Sequence, residues 1–206
     1  MRIIPASFYR SDDVESIARA LLGKVLVTKH QGRITSGRIT ETEAYKGVED
    51  RACHAFGGRR TPRNEVMYAD GGHAYVYICY GIHFLFNVVT NRKDVPDAVL
   101  IRSVEPLDGT PLMLHRAGKD ALRPNLAAGP GNLTRALGID MCHNGLSLAG
   151  PELHIADDGF RIGDNEIIAT PRIGVGSAGA DALRPYRYII KGNKFVSGGR
   201  SSPLKG

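Results

Sequence analysis

The sequence predicts an α+β or mainly β fold rather than a doubly wound sheet. Three observations carry that expectation. One amphipathic helix stands near the N-terminus, strand-like runs follow one another through the middle, and no regular βαβ alternation appears. No linker or internal repeat divides the 206 residues, which suit a single domain with one sizeable core.

Asp12 and Glu15, three apart before an apolar run, form a capping-box-like start. Val14, Ile17, Ala18, Leu21 and Leu22 then follow helical spacing, and Gly23 is a natural stop. Lys24 to Lys29 is strand-like, Gln31-Gly32 turns, and Arg33 to Tyr45 continues as strand. Lys46 to Gly72 is a long loop with paired glycines, a length that is often functional. AYVYICYG follows, with Tyr75, Tyr77 and Cys79 alternating with Val76, Ile78 and Tyr80. His83 to Val89 and Asp97 to Val104 read as two further strands joined by a hairpin-like NRKDVP. Asp108 is placed to cap a helix over Pro111 to Ala117, and Gly129 to Gly138 leads into another short helix. Short strands are expected at Glu152–Ala156, Phe160–Ile162, Glu166–Ile173 and Tyr186–Lys191, and a mobile tail from about residue 197 to 206.

The balance is basic: 27 Lys plus Arg against 21 Asp plus Glu, a formal charge of +6. That excess favours a polyanionic partner, because cationic side chains release counterions from phosphates. Three widely spaced cysteines do not make a disulfide framework and point to a reducing compartment. There is no signal-like apolar run and no stretch of eighteen apolar residues, so a soluble, cytoplasmic protein with no membrane partner is expected.

Several motifs invite chemistry. The adjacent pairs Cys53-His54 and Cys142-His143 reach one ion poorly, so no metal site is expected. GVGSAG (Gly174 to Gly179) matches G-x-G-x-x-G but lacks the following helix, strand and acidic residue of a dinucleotide site. A tight turn, or backbone approaching phosphate, fits it better. GPGNLTRA (Gly129 to Ala136) reads either as a glycine-rich DNA-contacting hairpin or as an ordinary helix start. Tyr75, Tyr77 and Tyr80 form either a base-stacking surface or a packed strand. In TETEAYKGVED, strand alternation puts Glu41, Glu43 and Tyr45 on one face. A carboxylate near His54 and tyrosines is a credible water activator; otherwise these are solvated charges.

RITETEAYKGVEDRACHAFGGRRTPRNEVMY, YVYICYGIHFLFNV and VLIRSVEPLDG, followed by GPGNLTRALGI and PRIGVGSAG, come in one order along nearly the whole chain. Together they resemble a bacterial member of the alkyladenine (3-methyladenine) DNA glycosylase family. The resemblance implies a single domain, residues 1–206, with a curved antiparallel β-sheet core and flanking short helices. It implies a monofunctional enzyme of base excision repair that flips alkylated purines such as 3-methyladenine and 7-methylguanine out of duplex DNA and hydrolyses the N-glycosidic bond. No metal or organic cofactor is implied. The expected partner is double-stranded DNA containing damaged purines, met by a monomer.

On this resemblance Glu43 is the catalytic, water-activating carboxylate. Tyr45, His54 and Tyr77 contact the flipped base, Asn87 crowds the exocyclic amino group of guanine, and Arg102 helps to hold the flipped nucleotide. Tyr80 is the residue that intercalates and fills the gap. His83 departs from the tyrosine of mammalian relatives, which leaves details of DNA contact open. Glu41, on the same face, is either a second acid or a solvated or structural group, and Glu49 and Asp50 are read as solvated charges. No amine in the matching blocks stands where a Schiff-base nucleophile is expected, so hydrolysis to an abasic site without lyase activity follows. A cationic alkylpurine leaves without a general acid. Hypoxanthine and ethenoadenine need protonation, and no committed acid is evident for them. A non-catalytic nucleic-acid-binding module and a hydrolase of free nucleosides are the competing classes, distinguished by base release and by the use of Tyr80 as a wedge.

Overall fold

A computed structural model describes residues 1–30 and 32–198. Its axis is a long strand, β3 (Arg33–Tyr45), and the sheet order is β1-β7-β2-β3-β6-β5-β4. The other members in that order are β1 (Arg2–Ile3), β2 (Val25–His30), β4 (Ala74–Cys79), β5 (His83–Thr90), β6 (Asp97–Pro106) and β7 (Leu153–Asp157). Two more strands lie off that path: β8 (Ile167–Thr170) pairs with β9 (Arg187–Ile190), which pairs with β3 across Glu41–Glu43. All pairings are antiparallel, so the α+β, single-domain expectation holds. The β3–β6 register shifts on both sides of Glu41. Such a bulge raises local twist and re-aims side chains, and here it falls where the chemistry-bearing residues begin.

Helix α1 (Val14–Leu21) forms as expected and buries Val14, Ile17, Ala18 and Leu21. Its cap is Asp13, not Asp12: the Asp13 carboxylate accepts from the Glu15 and Ser16 N–H groups, both at 3.1 Å. Gly23 ends it at φ +78°, where a Cβ would meet Ile162 at 2.8 Å. Thr42 donates to the Ala18 carbonyl at 2.9 Å, which fixes α1 to one face of β3. Helices α2 (Thr110–Ala117) and α3 (Pro130–Leu137) pack against each other, and α3 lies on β5 and β6. Asp108 does not cap α2. Gly109 occupies that position, and the Asp108 carboxylate instead accepts from Ser36 Oγ at 2.8 Å, tying the turn to β3.

Three further expectations are corrected. Phe160–Ile162 is not a strand: both edges of β7 are taken, by β1 and β2, and Phe160 lies under the Arg38 guanidinium instead. The Glu166–Ile173 run is in strand only as β8, because Pro171 has no N–H for a ladder and the chain then turns toward the site. The β1 strand was not expected. The proposed mobile tail begins too early, since Ser197 is buried and hydrogen-bonded to Glu41; residues 199–206, like Gln31 of the expected turn, lie outside the described residues.

The main core joins α1, the sheet and α3. A smaller cluster of Cys53, Ala55, Met67, Tyr68, Tyr75, Val89 and Ala98 sits beneath the long loop, with Tyr45 and Tyr77 packed against it. The loop is therefore anchored by its own apolar contacts rather than draped over the sheet. No helix among the described residues is long and apolar enough to cross a membrane.

Candidate active site

The bulged end of β3, the β4–β5 hairpin, β6 and the segment after β8 enclose a cavity of about 570 Å³. Tyr45, His54, Tyr77, Tyr80, Asn87 and Arg102, six of the seven residues singled out by sequence, line it. The seventh, Glu43, is fully buried against its wall.

Glu43 is held on three sides. Its Oε1 accepts the Ile173 N–H at 2.8 Å, its Oε2 accepts the Tyr45 hydroxyl at 2.9 Å, and Arg102 Nη1 lies 3.3 Å from Oε1. Burial pushes its carboxyl above the ordinary value; Arg102 and the Ile173 N–H pull the other way, and the Glu41 charge adds to the rise. Burial and the neighbouring Glu43 also push the Tyr45 phenol well up, so it stays a donor.

The aromatic wall is built by alternation. Tyr75 and Tyr77 point to one side of β4, with ring centroids 5.4 Å apart, and His54 from the loop meets Tyr77 edge-on at 4.7 Å. His54 Nδ1 lies 2.8 Å from the Tyr75 hydroxyl. Burial, then Arg63 and Arg59, lower its pKa, which favours the neutral ring. Asn87, opposite Tyr75 in register, donates to the Tyr75 carbonyl at 3.1 Å, so its amide is oriented by the strand pair itself. Tyr80 stands apart. It is 91% exposed at the hairpin tip and has φ +51°, followed by Gly81 at +72°. A left-handed backbone at a tyrosine costs about 1–2 kcal/mol, so the turn presents this ring to solvent at a conformational cost.

Several functional neighbours were missed by sequence reasoning. Ile173, Gly174 and Val175 line the cavity, so GVGSAG contributes wall and backbone rather than a dinucleotide cradle. Pro130, from GPGNLTRA, is also part of the lining. Arg172 is buried between Tyr45 and Tyr186, at 4.7 and 5.3 Å from their ring centroids, and pairs with Asp50. Asp50 is thus buried and paired, not solvated; Glu49 is exposed. Glu41 is buried as well, and burial that would raise its carboxyl is outweighed by Arg102 and Arg187, which hold it low. Alternation put Glu41 on the site face, but its partner Arg187 lies 146 residues away and leaves no local signal.

The Cys-His pairs separate. Cys53 enters the smaller core, where burial raises its thiol to about 12, while His54 faces the cavity. Cys142 and His143 come together with His30, their ligand atoms within 4.8 Å of one another. His143 Nδ1 already accepts the Asp140 N–H at 3.2 Å, and hydrogen bonding to Asp140 holds the Cys142 thiol at about 11.

A profile described as methylpurine-DNA glycosylase matches residues 7–194. The chain belongs to this family. Relatives that carry 3-methyladenine DNA glycosylase in their names include one from Chlamydia abortus, 45% identical over 91% of this chain and 98% of its own. One from Desulfitobacterium hafniense is 42% identical over 96% and 99%, and one from Bacillus cereus 45% over 94% and 98%. The carboxylates of TETEAYKGVED that lie on β3, Glu41 and Glu43, are buried at its end beside the aromatic cavity.

Proposed function

We propose that this protein is a monofunctional DNA glycosylase. It flips alkylated purines, 3-methyladenine and 7-methylguanine among them, out of duplex DNA and hydrolyses the N-glycosidic bond with a water activated by Glu43. The carrying observation is a fully buried carboxylate held at the wall of an aromatic cavity by Tyr45, Ile173 and Arg102.

Cleavage of the C1′–N bond develops positive charge on the sugar, as in glycoside hydrolysis. A carboxylate offers about four acceptor sites, and Tyr45, Ile173 and Arg102 occupy three. The fourth is free to take a proton from water, and the same charge faces the oxocarbenium. Burial makes Glu43 a stronger base than an ordinary carboxylate, which suits general-base action worth about 10²–10⁴-fold. The departing alkylpurine is already cationic and needs no acid.

The aromatic wall supports selection of the base. Extrusion costs a few kcal/mol, and stacking returns about 1–3 kcal/mol per base. A cationic base gains further from the tyrosine faces, and Asn87, fixed by Tyr75, narrows the pocket against guanine. Tyr80 is presented as a wedge for the vacated stack. The formal charge of +6 supplies sequence-independent affinity for phosphates.

The test is base release from duplexes carrying 3-methyladenine, 7-methylguanine, hypoxanthine or ethenoadenine. Release of the two cationic bases, leaving an alkali-labile abasic site and no borohydride-trapped adduct, is expected. Binding without release of any base would favour a binding module. Release from free nucleosides at the duplex rate would favour a nucleoside hydrolase.

A further inference from the structure

Glu41 is fully buried, and the chemistry above does not use it. Its oxygens are nevertheless saturated. Oε1 accepts from Arg102 Nε at 2.8 Å, Arg187 Nε at 2.7 Å and Ser197 Oγ at 2.9 Å. Oε2 accepts from Ser103 Oγ at 2.7 Å and the Ser197 N–H at 2.6 Å. Five donors exceed the roughly four acceptor sites of a carboxylate, so neither water nor substrate finds a place on it. Glu41 is therefore not a second acid or base.

What Glu41 controls is Arg102. A charge-assisted N–H···O bond is normally about 2.7–2.9 Å. Arg102 makes such a bond to Glu41, while its approach to Glu43 is longer, 3.3 Å from Nη1. The guanidinium is a planar fork that pairs readily with both oxygens of one carboxylate. Here its Nε is tethered to Glu41 and its Nη2 to Ser197 Oγ at 3.2 Å, so only one nitrogen is turned to Glu43. Ser197 is itself anchored: its carbonyl accepts from Arg187 at 2.7 Å, and the carbonyl of Phe195 accepts from Thr40 at 2.6 Å.

We propose that Glu41 is a positioning residue: with Ser197 of the C-terminal segment it holds Arg102 back from a two-point salt bridge with Glu43, leaving Glu43 an open acceptor site. A two-point bridge would occupy both Glu43 oxygens and leave a weaker base. The proposal rests on the reading of Glu43 as the water-activating group.

The groups facing Glu43 are Glu41 and Tyr45 on its own strand, Tyr77 on β4, Arg102 on β6, Arg187 opposite it on β9, and Arg172 on the segment after β8. In Glu41→Gln the like charge beside Glu43 disappears and Arg102 is freed to close on it. Both changes favour the Glu43 carboxylate, so its titration moves to lower pH.

The experiment is a ¹³C NMR titration of Glu43 in the free full-length protein, wild type and Glu41→Gln, paired with single-turnover base release against pH. A downward shift of roughly one pH unit is expected. The acid limb of the rate should move the same way and the plateau should fall about 10–100-fold. Glu41→Asp should return the titration toward wild type. If Glu41→Gln does not fold, Ser197→Ala, which frees Arg102 Nη2, should give a smaller shift of the same sign. An unmoved Glu43 titration in the folded variants would overturn the proposal, leaving Glu41 a purely structural group. Because the titration needs no DNA, a wild type that releases no base would instead overturn the glycosylase reading alone.

Discussion

The middle of β3 and its C-terminal end handle charge in opposite ways. At the β2 side, Arg38 meets Asp158 at 2.7 Å and Lys24 meets Asp157 at 2.9 Å, with all four side chains 15–25% exposed. At the C-terminal end, Glu41 and Glu43 are fully buried with Arg102 and Arg187, and Asp50 with Arg172 lies beside them. Partly solvated pairs cost little to form and contribute little, about 0–1 kcal/mol. Buried pairs carry a desolvation penalty that hydrophobic residues of the same volume would avoid. A chain that accepts that penalty at one end of one strand marks where a fixed charge is needed.

The sharpest break of this comparison is Glu43→Gln. It should reduce base release by at least about 10²-fold, read by single-turnover kinetics, while damaged duplex is still bound. An active variant would reduce Glu43 to another structural charge. Next comes Asp50→Ala, which leaves Arg172 buried without its carboxylate. A loss of about 3–5 kcal/mol in denaturant unfolding is expected.

Tyr80→Ala should act in the reverse sense. The side chain is 91% exposed, so stability should change by no more than about 0.5 kcal/mol. If Tyr80 is the proposed wedge for a flip that costs a few kcal/mol, its loss should nonetheless lower kcat/KM on duplex by about 10-fold or more.

The two groups of pairs should also differ in pH response. Glu43 has a raised pKa, and on the proposed mechanism its carboxylate form is the base, so the rate should fall as pH drops through a value above the ordinary 4.5. Asp158 has the opposite shift. Hydrogen bonds from Arg38 hold it at about 2, so its contribution to stability is present above the ordinary 3.8 and is lost as pH falls toward 2. The smallest effect follows: Arg38→Ala should cost about 1 kcal/mol or less near neutral pH, screened by salt, with the rate of base release unchanged.

Local pattern made much of this protein legible. Helical spacing located α1, alternation bounded β3 at Arg33 and Tyr45, and the same alternation put Glu41, Glu43 and Tyr45 on one face. Cap identity was less legible, because Asp12 and Asp13 are chemically alike and only backbone geometry selects between them. The short strands of the last third were over-read because a β-prone run needs a free edge to pair with, and edges are a property of the assembled sheet.

By itself the sequence determined the net positive charge, helix α1 and the long strand β3, since periodicity depends on neighbours two to four positions away. Only the tertiary structure decided which carboxylates are solvated and which are buried. Asp50 finds Arg172 across 122 residues, and Glu41 finds Ser197 across 156. Whether a charge is solvated or paired depends on what the sheet brings beside it, and no local spacing encodes a partner that far along the chain. The pairing of Glu43 with Tyr45 on one strand face could be read in advance. The cage that holds Arg102 beside it exists only once β3, β6, β9 and the C-terminal segment have met.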